Sequence, residues 1–253
     1  MRWERAVCLA VALFSCDVQA VVALSGTRLI FDGRFHEVAF ELSNPGVRDV
    51  LIQTWLESVE PVEDDRANLP FVVTPPLAQL PPQGRQTLRV LYEGVGLPRD
   101  RESLLHLYVL EVPWRSAANQ QLSLAVRQRI NVFYRPQALV GDPALAPEAL
   151  SWQRSPDDPL LLNLSNPTPF HVSLHNIRVG DVEVSEDLLL GPFSTFTFRL
   201  PASLGHRSGV DTLTFKALTD YGGQRDFCAQ PKDRAPFHAR LRTPGTPLSI
   251  GKC

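Results

Sequence analysis

Residues 121–136 carry the pattern that most constrains the fold of this chain. They read QLSLAVRQRINVFYRP, with apolar side chains at nearly every even position, Gln128 as the break and Pro136 at the end. Alternation with a period of two residues is typical of a β-strand whose two faces differ. The run predicts a strand of about fourteen residues, more than twice the usual length of about five or six. Such a strand is long enough to serve its own sheet at one end and a second partner at the other.

The composition favours many short strands separated by turns. The chain has 253 residues, 44% of them hydrophobic, and its 22 prolines and 15 glycines are scattered rather than gathered in one tract. The 25 basic and 27 acidic side chains give a formal net charge of −2. Because there is no net positive field to attract a polyanion, the sequence argues against nucleic acid as a partner.

The first twenty residues predict a targeting segment. Arg2 and Arg5 precede an apolar run over residues 6–14, which is too short to span a bilayer, and a small residue stands at Ala20. These features indicate a secretory signal peptide, residues 1–20, cleaved after Ala20. A second interpretation stays open, in which residues 13–16 form a lipobox and Cys16 is acylated.

Removal of the signal peptide leaves Cys228 and Cys253 as the cysteines of the exported chain. Two cysteines in an oxidising compartment are expected to form a disulfide, with two free thiols as the alternative. Two cysteines without adjacent histidines lack the ligand number of a metal site. The sequence therefore predicts neither a metal nor a cofactor.

Two segments rich in β-strand patterns flank a tract that contains proline. Between residues 21 and 134 about seven short runs are separated by turn-forming residues, which is the spacing of an immunoglobulin-like β-sandwich. Residues 136–150 hold three prolines and no strand pattern, and strand-like runs resume after residue 151. We predict an all-β protein with a first domain over residues 21–138 and a second, smaller β-rich domain over residues 139–253.

The motifs of the common enzyme classes are absent from the sequence. There is no Gly-x-Ser-x-Gly, no His-Glu-x-x-His and no phosphate-binding glycine loop. His171 and His175 are four residues apart, but in a strand that spacing spans about 13 Å and argues against a shared metal ion. Packing or surface roles are expected for these histidines, and the chain is not predicted to be an enzyme.

Six stretches follow one another in the order known from a single family: GTRLIF (26–31), VVTPPLAQLPPQGRQTLRV (72–90), LPRDRESLLHLYVLEVP (97–113), RINVFYRP (129–136), LSNPTPF (164–170) and TDYGG (219–223). The sequence resembles the PapD-like periplasmic chaperones of the chaperone–usher pilus pathway. The resemblance implies two immunoglobulin-like β-sandwich domains in an L-shaped arrangement and a periplasmic location. It also implies pilus subunits and an outer-membrane usher as partners, without a cofactor.

Members of this family hold a subunit by inserting a strand of their own into its apolar groove. The resemblance implies that residues 121–136 contain this donor strand and that Leu122, Leu124 and Val126 enter the groove. The alternative is that these three side chains face the core of the protein itself. If they are exposed, they would also permit self-association of the free protein.

The family binds the C-terminal carboxylate of the subunit with one arginine and one lysine. Arg28 stands at the arginine position, but Asn131 stands where the family pattern has lysine. Asparagine donates a neutral hydrogen bond and carries no charge, which is a departure from the family pattern. Our hypothesis is that Arg28 still anchors the carboxylate and that Asn131 orients it, helped by Arg129. Loss of this anchor is the alternative.

Three further positions match an ion network between the two domains: Glu102, Arg135 and Asp220. The resemblance implies that they fix the angle between the domains. The stretch 113–121 before the donor strand is short, which resembles the short-loop branch of the family. Two rival interpretations remain: a chaperone-like paralogue with altered or lost subunit anchoring, supported by Asn131, and a secreted immunoglobulin-like adhesive or binding module.

Overall fold

The computed structural model describes residues 22–59, 69–113, 124–204, 212–230, 235–242 and 253. The predicted signal peptide, residues 1–20, and Leu122 of the predicted donor strand lie outside this part of the chain. Among the described residues, no helix has both the length and the apolar character needed to cross a bilayer.

The first domain is a sandwich of two β-sheets. Its strands are β1 (Ala23–Leu24), β2 (Arg28–Asp32), β3 (Glu37–Ser43), β4 (Val50–Ser58), β5 (Phe71–Thr74), β6 (Leu77–Leu80), β7 (Arg85–Tyr92), β8 (Ser103–Pro113) and β9 (Val126–Arg135). One sheet has the strand order β1-β3-β7-β5, and the other has the order β2-β9-β8-β4-β6. In the second sheet β9 runs antiparallel to β8 and parallel to β2. This arrangement confirms the predicted immunoglobulin-like sandwich.

Alternation along the strands buries one face of each sheet between the two layers. In β8 the side chains of Leu105, Leu107 and Val109 are buried, and their neighbours in sequence are only half-buried. Burying a side chain of this kind stabilises the fold by roughly 1.5–3 kcal/mol. Four aromatic rings, with centroids between 4.5 and 6.2 Å apart, pack at one end of this core: Phe31, Phe71, Tyr92 and Tyr134.

The second domain is also a sandwich of two sheets. Its strands are β10 (Ser151–Arg154), β11 (Leu161–Ser165), β12 (Val172–Val179), β13 (Val182–Leu190), β14 (Thr195–Arg199), β15 (Leu213–Leu218), β16 (Gln224–Ala229) and β17 (Arg240–Leu241). The sheets have the orders β10-β11-β14 and β13-β12-β15-β16-β17. Trp152 lies at the centre of the core, fully buried between Phe198 and Phe215.

The proline-containing tract, residues 136–150, includes a 3-10 turn, Pro143–Leu145, followed by the short helix α1 (Ala146–Ala149). The carboxylate of Asp142 accepts a hydrogen bond from the backbone N–H of Ala144 at 2.8 Å, which caps the turn. Ala146 and Leu150 are buried in the core of the second domain. The end of the tract therefore packs as part of the second domain.

A disulfide joins Cys228, on β16, to Cys253. The predicted pairing is confirmed. The bond ties the C-terminal residue to an inner strand of the five-stranded sheet, because β16 lies between β15 and β17.

Two strand predictions need correction. The donor-strand run was expected to form about fourteen residues of strand, whereas β9 has ten residues in the structure, and residues 121–123 lie outside the described part. Several strands were not predicted at all, β6 and β13 among them. The burial pattern of β13 does not alternate cleanly, so the period of two is weak in its sequence.

Candidate functional site

An ion network joins the two domains at the end of β9. Arg135 donates a hydrogen bond from Nε to Glu102 Oε1 at 2.7 Å. The two Nη atoms of Arg135 donate to the two carboxylate oxygens of Asp220 at 2.8 and 3.1 Å. Glu102 immediately precedes β8, and Asp220 lies in the turn between β15 and β16. The structure thus brings together all three residues predicted for this network.

Glu102 carries further contacts to the second domain. Its Oε2 atom accepts a hydrogen bond from the backbone N–H of His171 at 2.8 Å, and His171 Nδ1 lies 3.3 Å from the same oxygen. The backbone N–H of Glu102 donates to the carbonyl of Pro169 at 2.9 Å. Only 2% of the Glu102 side chain is exposed. A buried carboxylate is tolerated because both of its oxygens accept hydrogen bonds.

The electrostatics of the network keep Arg135 charged. Burial by itself would lower the pKa of the Arg135 guanidinium, but the hydrogen bonds to Asp220 and the charges of Glu102 and Asp220 raise that pKa above its ordinary value. The guanidinium also lies 5.4 Å from the centre of the Phe170 ring. The domains are therefore connected by a charged group whose hydrogen bonds are directed to both of them.

Beside the network, a cavity of about 310 Å³ opens between the domains. Arg28 and Phe133 line it from the first domain, and His171 and Ala217 line it from the second. Arg28 Nη2 donates a hydrogen bond to Ser173 Oγ at 3.3 Å, and its guanidinium lies 5.6 Å from the centre of the Phe133 ring. The cavity therefore presents a cation at the junction of the two domains.

Arg28 has donor capacity that the described residues do not use. Its Nε atom is buried and has no hydrogen-bond acceptor within the described part of the chain. Burial lowers the pKa of Arg28, and the charges of Asp220 and Glu102 act in the opposite direction. Because an arginine presents a planar fork of donors, an anion in the cavity could be bound through two parallel hydrogen bonds.

Asn131 lies directly beside Arg28. The two residues are partners in the parallel pairing of β2 with β9, and His106 is the partner of Asn131 on β8. Paired residues of neighbouring strands project from the same face of a sheet. Arg28, Asn131 and His106 therefore form one row across the face that points away from the core of the first domain.

The opposite face of β9 packs in the core of the first domain, and this core ends at Gln128. Ile130 and Val132 are buried in that core. Gln128 Nε2 donates a hydrogen bond to the carbonyl of Val22 at 2.7 Å, and the N–H of Val22 donates to Glu111 Oε2 at 2.7 Å. Val22 and Glu111 are both buried. These contacts end the core, so the preceding residues on the same face lie beyond it.

Leu124 and Val126 are those preceding residues. The side chain of Leu124 is 66% exposed, and Val126 is half-buried opposite Glu111. Along residues 126–130, β9 pairs with β8 on one side only, because β2 begins at Arg28 opposite Asn131. Within the described part of the chain, the other edge of β9 is open there, next to an exposed apolar side chain.

Three contributors to this region were not found from the sequence: His171 in the ion network, Ser173 against Arg28, and Val22 at the end of the core. Val22 acts through its backbone N–H and carbonyl groups, which leave no residue-type signal in a sequence. His171 acts through its backbone N–H and its ring, and the sequence pattern indicated only a packing or surface role for it. His175, the other histidine of the pair, contacts Asp187 on β13 instead. In the described part of the chain no group of three or more His, Cys, Asp or Glu residues could hold a metal ion.

The sequence matches two family models in succession. The model for the N-terminal domain of PapD, a pili and flagellar-assembly chaperone, matches residues 21–140. The model for the C-terminal domain of the PapD pili assembly chaperone matches residues 145–229.

Relatives match over nearly their whole length. The chain is 32% identical over 249 residues to the chaperone protein FimB/FhaD of Bordetella pertussis, covering 92% of this chain and 99% of that protein. It is 35% identical over 224 residues to the probable fimbrial chaperone YadV of Escherichia coli, covering 83% of this chain and 89% of that protein.

Solved structures agree with this assignment. The crystal structure of the YadV chaperone superposes with a TM-score of 0.66 at 32% identity, covering 83% of this chain and 99% of that one. A chain from the complex of Salmonella enterica SafA pilin with the SafB chaperone superposes with a TM-score of 0.69 at 26% identity, covering 83% and 96%. Together with the two successive family matches, these likenesses establish that the chain belongs to the PapD-like family of pili assembly chaperones.

Proposed function

We propose that this protein is a non-enzymatic periplasmic chaperone that captures pilus subunits by donor-strand complementation and delivers them to an outer-membrane usher. The observation that carries the proposal is the change in environment along β9. Ile130 and Val132 of this strand are buried in the chaperone's own core, whereas Leu124, two residues before the strand begins, is exposed. The usher and the periplasmic location enter the proposal through the family membership.

The open edge of β9 supports addition of a foreign strand. Over residues 126–130 the backbone groups on that edge have no strand partner within the described residues, so a subunit strand can hydrogen-bond to them. Leu122, Leu124 and Val126 would then fill the subunit's apolar groove. Full burial of each side chain contributes roughly 1.5–3 kcal/mol before the costs of association.

Arg28 supports an anchor for the C-terminal carboxylate of the subunit. A strand that runs parallel to β9 along its open edge ends in front of β2, and therefore beside Arg28. Arg28 lines the cavity there, and its buried Nε donor is unused within the described part of the chain. Asn131, its neighbour in the row, would orient the carboxylate with a neutral hydrogen bond, and the charge would come from Arg28 alone at this position.

The ion network of Glu102, Arg135 and Asp220 would hold the two domains at a fixed angle and so keep the cavity between them open. The shortness of the stretch 113–121 in the sequence supports an assignment to the short-loop branch of the family. The open edge of β9 also makes self-association of the free protein physically reasonable, because an unpaired edge can pair with a second copy.

Co-expression with subunits encoded in the same gene cluster tests the proposal. Leu124→Glu is compared with Leu77→Glu, because Leu77 is also exposed (57%) but lies on β6, at the opposite edge of the same sheet. We expect Leu124→Glu to abolish both the complex and the survival of the subunit, while Leu77→Glu behaves as wild type. Equal protection of the subunit by both variants would contradict donor-strand capture.

The anchor is tested separately with Arg28→Ala. Arg34→Ala is the control, because Arg34 is exposed and pairs with Asp32 outside the cavity. Loss of one charge-assisted hydrogen bond costs roughly 1.5–3 kcal/mol, so subunit binding is expected to weaken by at least about tenfold in Arg28→Ala only. Unchanged binding in Arg28→Ala would favour the paralogue interpretation, in which the anchor has been given up.

A further inference from the structure

Two arginines stand on the outward face of β9, beside its open edge. Arg127 and Arg129 precede Asn131 at intervals of two residues, so they project from the same face as Asn131 and Arg28. Both side chains are exposed. Neither forms an ion pair with a carboxylate of the described residues, and the guanidinium of Arg127 lies 5.3 Å from the centre of the Tyr108 ring.

The neighbouring groups leave this face positively charged. The β8 residues paired with Arg127 and Arg129 are Leu110 and Tyr108, and neither of them has a carboxylate. His106 lies next to Tyr108 and Arg129 on this face. Burial, together with the charge of Arg129, lowers the pKa of His106. Glu57 on β4, the strand partner of His106, places a carboxylate on this face, and that carboxylate accepts a hydrogen bond from Trp55 Nε1 at 2.8 Å.

A captured strand would pass both arginines in a fixed order. In the register of β2 with β9, Arg28 faces Asn131, and residues paired in parallel share a face. A parallel strand that ends in front of Arg28 therefore places its last outward side chain beside Arg129. The preceding outward side chain, two residues earlier, lies beside Arg127. Opposite charges on directly neighbouring strands stabilise the pair, and like charges destabilise it.

Resting on the proposed strand capture, we propose that Arg127 and Arg129 select the client. They favour subunits whose C-terminal strand carries acidic side chains at its last two outward positions. The arginines thus supply positive charge along the strand, in addition to the single charge of Arg28 at its end. An alternative role for charged residues at an open edge is to prevent self-pairing, and that role would not depend on the sequence of the client.

Synthetic peptides distinguish these roles. The probes are peptides of about six residues, the length of an ordinary strand, that alternate valine and threonine, carry a fluorophore at the N-terminus and end in a free carboxylate. The last two threonines are replaced by Glu, Gln or Lys, and a C-terminal amide version of the Gln peptide is added. Fluorescence polarisation measures binding to the full mature chaperone and to the double variant Arg127→Gln/Arg129→Gln. The control is Arg85→Gln/Arg89→Gln, whose arginines are exposed on β7 in the other sheet.

We expect the Glu peptide to bind about three- to tenfold more tightly than the Gln peptide, and the Lys peptide to bind more weakly than either. The difference should shrink in 1 M salt, where the screening length is about 3 Å. It should vanish in Arg127→Gln/Arg129→Gln and persist in Arg85→Gln/Arg89→Gln.

Other outcomes overturn the proposal in distinguishable ways. Equal binding of the Glu, Gln and Lys peptides, with weaker binding of the amide peptide, would refute client selection by the arginines and leave strand capture intact. If the Gln peptide with its free carboxylate does not bind, or the amide binds equally well, strand capture with a carboxylate anchor fails together with the proposal.

Discussion

Replacement of Glu102 by glutamine is the perturbation whose effect can be worked out most fully from the structure. Glu102→Gln keeps the shape of the side chain and removes its negative charge. One carboxylate oxygen, which accepts a hydrogen bond from either Arg135 or the N–H of His171, becomes an NH₂ group. A donor then faces a donor in a site where 2% of the side chain is exposed.

The expected loss of stability is about 3 kcal/mol. Removing one partner of a buried ion pair costs about 3–5 kcal/mol. The lower end applies here because Arg135 keeps both hydrogen bonds to Asp220 and its side chain is 19% exposed. The free energy of unfolding is taken to decrease by about 3 kcal/mol per molar urea, the upper end of the usual range, because the slope increases with protein size. The urea midpoint of unfolding should therefore fall by about 1 M.

Urea unfolding followed by far-ultraviolet circular dichroism measures this loss. Glu41→Gln is the matched control, because Glu41 pairs with Arg85 at 3.1 Å while 45% of the Glu41 side chain and 73% of the Arg85 side chain remain exposed. An exposed pair of this kind contributes at most about 1 kcal/mol. If Glu102→Gln lowers the free energy of unfolding no more than Glu41→Gln does, the network does not hold the domains together in the way described.

The remaining predictions concern pH and the disulfide. Burial, reinforced by a hydrogen bond to the neighbouring Tyr92, raises the pKa of Tyr134 to about 12. An unfolded tyrosine ionises near about pH 10, so the free energy of unfolding should decrease as the pH rises from about 10 to about 12. The decrease should be smaller in the Tyr134→Phe variant. Burial and the charge of Arg129 lower the pKa of His106, so the contribution of His106 to stability is complete above about pH 6.5 and is lost as the pH falls below that value. His106→Gln should therefore reduce the slope of the free energy of unfolding against pH below about pH 6.5. An unchanged slope would contradict this. The Cys228–Cys253 bond closes a sequence separation of 25 residues, so Cys228→Ser should lower the free energy of unfolding by about 3.5 kcal/mol, and a loss below about 1 kcal/mol would refute the chain-entropy account.

Most of the fold could be predicted because its strands bury one face only. The alternation in β8 and β9 is visible in the sequence, since buried Leu107 on β8 and buried Ile130 on β9 are each flanked by polar or half-buried residues. β6 was missed because its four residues stand between prolines, and β13 because it lies at the edge of its sheet with little burial. A strand that buries few side chains leaves a weak periodic signal.

The candidate site could be predicted only through the family resemblance. Arg135 lies 33 residues from Glu102 and 85 residues from Asp220 along the chain, so no local spacing indicates their contact. The resemblance could not supply Val22, because its hydrogen bonds use the backbone and any residue can provide them. It also did not supply His171, which contacts Glu102 through both its backbone N–H and its ring. The exposure of Leu124 depends on where the core ends, and that end is set by Val22, Gln128 and Glu111.

Residue-resolved hydrogen exchange of β9 tests the central claim most directly. The amides of residues 126–130 that point away from β8 are compared in the free chaperone and in its complex with a subunit. The account predicts that they exchange rapidly in the free protein and become protected in the complex, while the amides that face β8 are protected in both. If the complex forms and the open edge of β9 gains no protection, the subunit binds elsewhere and β9 is not its donor strand.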